Sequence, residues 1–306
     1  MTEPSFAGIY ASILCPMQPD GRIDEAALAA HAAQVLACPG MRGLLVNGHA
    51  GENFLLDRDE QRHVLRLVRR AAGTAPIVAG VLAESSDAAA ALARDAAAEG
   101  ADAVMVFAPF SWSLGADPRV VLRHHLAIHD ATKLPLFLFQ GSVRSGGLHF
   151  PPDLLAALLQ LPRVAGIKEG SWEAAAYHIT QRVVARTRPD VLVMASGDEH
   201  LFATVAMGSA GSLVSLAAIA PEPIVALDAA LRAGDLPAAQ ALHRRLAPLA
   251  KAIYGVPPAG LATPRLKACL HLLGRLPHPA CRAPLPALDA GEIAALRDAM
   301  IEAEIA

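Results

Sequence analysis

Leu136-Phe137-Leu138-Phe139 opens a stretch that passes Phe150-Pro151 and closes on Val164-Ala165-Gly166-Ile167-Lys168. Both ends are short apolar runs without polar alternation, as strands buried on both faces should be, and the segment between them is long enough for a helix. The same alternation recurs outward in both directions. Further runs begin at Ile9 (IYASIL), Gly43 (GLLVN), Ile77 (IVAGV), Ala103 (AVMVF), Val191 (VLVMA) and Gly211 (GSLVSL), making eight strand-helix pairs. Eight such units with no GxGxxG and no P-loop after the first strand fit a closed (β/α)8 barrel better than an open doubly wound sheet.

Helix starts support the pattern. Asp24 stands before Leu28, Ala32, Val35 and Leu36, and Asp57 with Glu60 three residues on forms a capping-box pattern ahead of Val64, Leu65 and Val68. Ser86 and Ser171 occupy expected N-cap positions, and Asp117-Pro118 and Phe150-Pro151 place proline near a first helical turn. From about Asp235 the strand runs stop, and helical segments follow over 236–254, 263–273 and 289–304. The expected organisation is an α/β fold, a (β/α)8 barrel over 1–234, with a C-terminal helical extension over 235–306.

The composition excludes several classes. Of the 306 residues 54% are hydrophobic and 18% charged, enough apolar side chain for a sizeable core. A net charge of -3 with scattered basic residues gives no basic stripe for nucleic acid. The mean hydropathy of +0.37 raises the membrane question, but Pro221, Glu222 and Pro223 break the longest apolar stretch, so no spanning helix is expected. Met1-Thr2-Glu3-Pro4 does not read as a signal peptide, and a cytoplasmic location is expected. Cys15, Cys38, Cys269 and Cys281 form no CxxC pair and read as reduced thiols.

In such barrels the active site lies at the C-terminal ends of the strands, so polar residues there matter most. Lys168 ends its strand run, and it is one of only four lysines, with Lys133, Lys251 and Lys267. An ammonium in an apolar pocket loses hydration, its pKa falls, and the free amine that attacks a ketone becomes available near neutral pH. The other reading of Lys168 is a strand-end lysine reaching solvent or pairing with Glu169. The loop Asn47-Gly48-His49-Ala50-Gly51-Glu52 carries two glycines that allow backbone amides to face an anion. Arg144, beyond Phe139-Gln140-Gly141, suits a second carboxylate. Ser196-Gly197-Asp198-Glu199 and Gly211-Ser212-Leu213-Val214 shape the remaining wall. His125 and His129 share a helix face with His124 nearby, but no HExxH pattern or third ligand accompanies them, and no metal site is expected.

Together these stretches resemble the dihydrodipicolinate synthase and N-acetylneuraminate lyase family. GHAGE at Gly48 to Glu52 is similar to the family's GTTGE, GIKE at Gly166 to Glu169 to its lysine signature, and SGDE at Ser196 to Glu199 to the following block. The likeness also includes FAGIYASILCPM from Phe6, FQGSVRSG from Phe139 and RAPLPALDAGE near the C-terminus. The resemblance implies a barrel with a helical extension, assembled as a homo-oligomer, dimer or tetramer. It implies that Lys168 forms an imine with pyruvate or a related 2-oxo acid, and that the loop at His49 and Ala50 holds the acid's carboxylate. Arg144 falls on the arginine that receives a second substrate's carboxylate. Expected substrate-binding residues are Gly48, Ala50, Gly51, Phe139, Arg144, Gly197, Val214 and Ser12.

Departures from the family pattern limit the transfer. The family's catalytic tyrosine falls on Phe139, its two threonines on His49 and Ala50, and its paired tyrosines on Phe110 and Ser111. Losing positioned acid–base help typically costs about 10² to 10⁴ in rate, so an unmodified synthase mechanism is not expected. His49 is the expected substitute proton-transfer residue, with Ser12 and Gln140 behind it; the alternative for His49 is a structural hydrogen bond. The leading expectation is a Schiff-base lyase of aldolase or dehydratase type that needs no cofactor, because the protonated imine is itself an electron sink. The alternatives are a 2-oxo acid binding protein without turnover and a metal-dependent barrel enzyme.

Overall fold

The structure, a computed structural model, describes residues 6–305; the reading made on Met1-Thr2-Glu3-Pro4 lies outside them. Eight parallel strands close into one barrel in chain order. They are β1 Gly8–Ser12, β2 Met41–Val46, β3 Ile77–Val81, β4 Ala103–Val106, β5 Leu136–Gln140, β6 Val164–Glu169, β7 Leu192–Ala195 and β8 Gly211–Val214. The helices that return the chain between them are α1 Glu25–Leu36, α2 Arg58–Ala72, α3 Ser86–Ala98, α4 Pro118–Ala131, α5 Pro152–Leu159, α6 Ala174–Thr187 and α7 Leu201–Ala206. After β8 come α8 Pro221–Arg232, α9 Leu236–Ala250, α10 Ala262–Leu272 and α11 Ala290–Glu302.

Strand alternation divides the side chains between two cores. Tyr10, Leu45, Val78, Met105, Phe107, Phe137, Met194 and Leu213 fill the barrel interior, while the opposite faces pack under the helices. Gly166 makes room for this filling: a Cβ there would stand 2.3 Å from the Phe137 ring. Two steps further along β6 the same inward face presents Lys168, in register with Phe139 of β5 and Met194 of β7.

Local start signals hold at most helices. Asp24 accepts the Ala27 amide at 3.0 Å, and Asp57 with Glu60 closes a capping box on α2. Two N-cap expectations are corrected. Ser85, not Ser86, caps α3, because the Ser86 hydroxyl pairs with His124 Nδ1 at 3.1 Å. Ser171 does not cap α6 either; its hydroxyl donates to the buried Glu169 carboxylate at 2.9 Å, and the helix starts after Glu173.

His124, His125 and His129 are buried on α4, with Trp112 packed 5.3 Å from His124 and with His125 Nδ1 on the Val121 carbonyl. No helix is long and apolar enough to cross a membrane among the described residues. Beyond Ala250, α9 widens into a π-helical turn over Lys251–Gly255, which carries Tyr254 to a contact with Trp172, just after β6.

Candidate active site

Lys168 is buried, and its ammonium lies 5.7 Å from the centre of the Phe139 ring and 5.9 Å from that of Phe107. Glu169, the next residue on the strand, points to the opposite face, so the two do not pair. Burial lowers the Lys168 pKa well below its ordinary 10.5, and the Asp198 carboxylate only partly opposes that shift. The lysine therefore holds free amine at a pH where an exposed lysine holds almost none.

The loop after β2 stands beside it. Asn47 adopts a left-handed φ of 53° and ties its amide to the Gln61 carbonyl at 3.0 Å, a turn that fits only because Gly80 on β3 lacks a Cβ. A Cβ at Gly80 would overlap the Asn47 carbonyl oxygen. The chain then makes one 3₁₀ turn, His49–Gly51, entered through extended Gly48. Being first in that turn, the His49 and Ala50 amides have no intrahelical acceptor. The His49 ring packs 4.4 Å from Phe107, and burial together with the Lys168 charge holds its pKa down to about 3. At neutral pH the imidazole is uncharged, and its Nε2 is buried without a hydrogen-bond partner.

Glu52, which ends this motif at a left-handed φ of 58°, turns away from the lysine. It is fully buried in an ion pair with Lys267 of α10, whose Nζ also donates to the Ala280 carbonyl at 2.9 Å. The second carboxylate oxygen accepts the Arg282 amide at 2.8 Å, and the Arg282 guanidinium reaches the Gly21 and Leu55 carbonyls and Glu60. The helical extension thus fastens the loop that carries His49. Nothing in the local sequence around Glu52 announces a partner more than two hundred residues away.

On the other side of Lys168, Asp198 is buried and accepts the Leu216 amide at 2.6 Å. Burial raises its pKa, and the Leu216 bond and Lys168 charge pull the other way. Tyr254 brings a hydroxyl against this carboxylate and against Ser215. Burial first, then the Asp198 charge, pushes the phenol well above 10. The hydroxyl is buried, and its approach to Asp198 does not close a well-aligned hydrogen bond. Sequence reasoning did not single out Tyr254; the only signal available was a tyrosine near the end of a helix outside the barrel.

The remaining expected residues are distributed unevenly. Ser12 ends β1 with its Oγ buried and unpartnered, and Val214 ends β8 fully buried. Gly197 precedes Asp198, where a Cβ would stand 3.3 Å from the His200 ring. Arg144 is exposed, and its guanidinium has no ion pair among the described residues. Gln140 is not available as a proton carrier, because both ends of its amide are spent on the Phe150 backbone at 3.0 and 2.8 Å.

Fold and site together define a (β/α)8-barrel enzyme built around a buried strand-end lysine. The profile of the Dihydrodipicolinate synthetase family matches residues 5–303. A 4-hydroxy-tetrahydrodipicolinate synthase of Hyphomonas neptunium is 33% identical over 98% of each chain. The dihydrodipicolinate synthase of Acinetobacter baumannii, solved in complex with pyruvate, is 25% identical with a TM-score of 0.87 over 99% of this chain and 100% of that one. That of Thermotoga maritima has a TM-score of 0.90 at 24% identity over 99% and 100%, a likeness of fold. The chain belongs to the dihydrodipicolinate synthetase family and is a lyase of that family.

Proposed function

We propose that this lyase forms an imine between Lys168 and the ketone carbon of pyruvate or a related 2-oxo acid, then makes or breaks a C–C bond, or eliminates water, beside it. The observation that carries the reading is the buried Lys168 amine, with its lowered pKa, at the mouth of the barrel. Gly48, His49, Ala50 and Gly51 supply the backbone for the acid's carboxylate; Arg144, exposed beyond β5, binds an acidic group where the second reactant carries one. Ser12, Phe139, Gly197 and Val214 enclose the bound imine. Asp198 balances the iminium charge, and Tyr254 beside it carries the hydroxyl that position 139 lacks. His49 acts here as a neutral ring, its Nε2 exchanging hydrogen bonds with substrate oxygen, since its low pKa rules out an imidazolium acid at neutral pH.

The phenyl ring of Phe139, the side chains at His49 and Ala50, and Phe110 together support a substrate other than that of the synthases. No metal or organic cofactor enters this mechanism, because the iminium is the electron sink. The proposal includes a cytoplasmic homo-oligomer, dimer or tetramer, with a barrel over 1–234 and a helical extension over 235–306. Borohydride reduction with pyruvate, followed by peptide mapping, tests it: an adduct on Lys168 is expected. Thermal stabilisation by pyruvate with no adduct for any 2-oxo acid would instead favour binding without turnover, a reading motivated by the missing hydroxyls.

A further inference from the structure

We infer that the second reactant is an aromatic aldehyde, so that the physiological substrate or product is a 2-oxo acid with an aryl group on C4. This rests on the Lys168 imine chemistry proposed above and names the partner it would take.

The observation is a continuous wall of rings leading away from Lys168. Phe107 and Phe139 pack at 4.9 Å beneath the ammonium. His49 lies 4.4 Å from Phe107 and 5.9 Å from Phe139, and is stacked on Phe110 at 5.6 Å and 26°. Phe54 closes the outer end, 6.4 Å from His49 and 6.0 Å from Phe110 in edge-to-face contacts. The rings come from two loops, after β2 and β4, and from strand β5. Exposure rises outward along the wall, from 1% at Phe107 to 41% at Phe54 and 43% at Phe110.

The inner rings are therefore structural floor, whereas the outer two, joined to that floor through His49, are partly exposed. Offset and edge-on packing at these spacings is the geometry in which another arene gains most. A chain of hydroxyl groups would find little here, since His49 is the one polar ring of the five, its Nε2 buried without a partner. That atom suits the single oxygen on C4. Its neutral state also keeps the imidazole a flat, uncharged stacking partner.

In the cleavage direction the C3–C4 bond of the protonated imine breaks and its electron pair enters the C2–C3 bond, neutralising the iminium nitrogen. The C4 hydroxyl gives up its proton as C4 becomes the aldehyde carbon. Protonation of C3 and hydrolysis by one water then return pyruvate and the lysine amine. No oxidant or reductant is needed.

The test compares aldol cleavage of 4-hydroxy-2-oxo-4-phenylbutanoate, its C4-methyl analogue and a 2-oxo acid with a polyhydroxylated chain, with borohydride trapping by pyruvate run alongside. The phenyl compound is expected to have a kcat/KM at least tenfold above either competitor. Phe110→Ala and Phe54→Ala are each expected to lower it several-fold more than they lower the methyl analogue, roughly the value of one ring-ring contact. Preference for the polyhydroxylated acid, or adduct formation with turnover of none of the three, overturns the inference while leaving the imine reading intact. Equal losses on both substrates, together with dissociation of the assembly, would mean that a second copy of the chain covers Phe54 and Phe110, and would also overturn it. Absence of any pyruvate adduct is the separate failure of the imine reading.

Discussion

Replacing Lys267 by methionine should cost more stability than removing any surface charge, because it strands Glu52. Both members of the pair are fully buried, and no solvent can take over when the ammonium goes. The carboxylate keeps the Arg282 amide at 2.8 Å, but loses its countercharge. Breaking a buried pair from one side typically costs about 3 to 5 kcal/mol, against about 0 to 1 kcal/mol for an exposed one. At roughly 2 to 4 °C per kcal/mol for a chain approaching this size, the melting midpoint should fall by about 10 °C. Adding Glu52→Gln should restore most of the loss, since a neutral amide oxygen still accepts from Arg282 and no charge remains buried. Because Glu52 follows directly on the turn that bears His49, the single variant should also trap pyruvate more slowly. The assay is thermal unfolding of the wild type, both single variants and the double variant at pH 7, with borohydride trapping rates alongside. A Lys267→Met protein within 1 °C of the wild type, or a double variant no better than the singles, would refute the reasoning.

Three further outcomes follow from the site. Imine trapping with pyruvate should rise with pH to a plateau whose midpoint lies well below 10.5, the ordinary lysine value, and Lys168→Arg should abolish it at every pH; a midpoint at the ordinary value would contradict the burial argument. Tyr254→Phe removes one of the contacts that pull the Asp198 pKa down, so the acid limb of the pH-rate profile should move to higher pH; an unmoved profile would remove Tyr254 from the site. Glu169 is raised by burial from 4.5 to about 7, so the folded protein holds the extra proton across that window and stability falls as pH rises through it. The loss should approach about 3 kcal/mol by pH 8, and Glu169→Gln, measured by denaturant unfolding at pH 5 and pH 8, should abolish most of that pH dependence.

What the sequence made legible was whatever one strand or turn encodes by itself. The eight strands were readable because each is apolar on both faces, and Lys168 because a charged residue closing such a run has few places to go. The Asp24 and Asp57 caps were readable for the same local reason. Ser86 and Ser171 misled because a hydroxyl at a helix start has other acceptors within reach, and here His124 and the buried Glu169 claim them. The ring wall was half visible: Phe139 and Phe110 stood out as departures from a tyrosine pattern, whereas their convergence with Phe54 and Phe107 around His49 needs two loops and a strand placed together. Gln140 was recommended by its position beside Phe139, and only the fold shows that the Phe150 backbone occupies both ends of its amide.

Tyr254 and Lys267 were illegible for a deeper reason, and it bears on how the helical extension should be regarded. Each makes its decisive contact with a residue far away in sequence, Tyr254 with Asp198 after β7 and Lys267 with Glu52 after β2. An amphipathic helix after a barrel reads as a cover for apolar surface, since its apolar face must be buried somewhere. These helices do that, but they also insert one phenol and one ammonium at the strand ends where the lysine chemistry is proposed. The two insertions act differently. Lys267 and Arg282 fix the backbone of the His49 loop through Glu52, so their loss should first appear as instability. Tyr254 leaves a hydroxyl without a well-aligned bond beside a carboxylate, an arrangement that adds little to stability and leaves that hydroxyl free to exchange protons. With a phenyl ring at Phe139 on β5, the phenol that stands beside Asp198 is that of Tyr254, from outside the barrel.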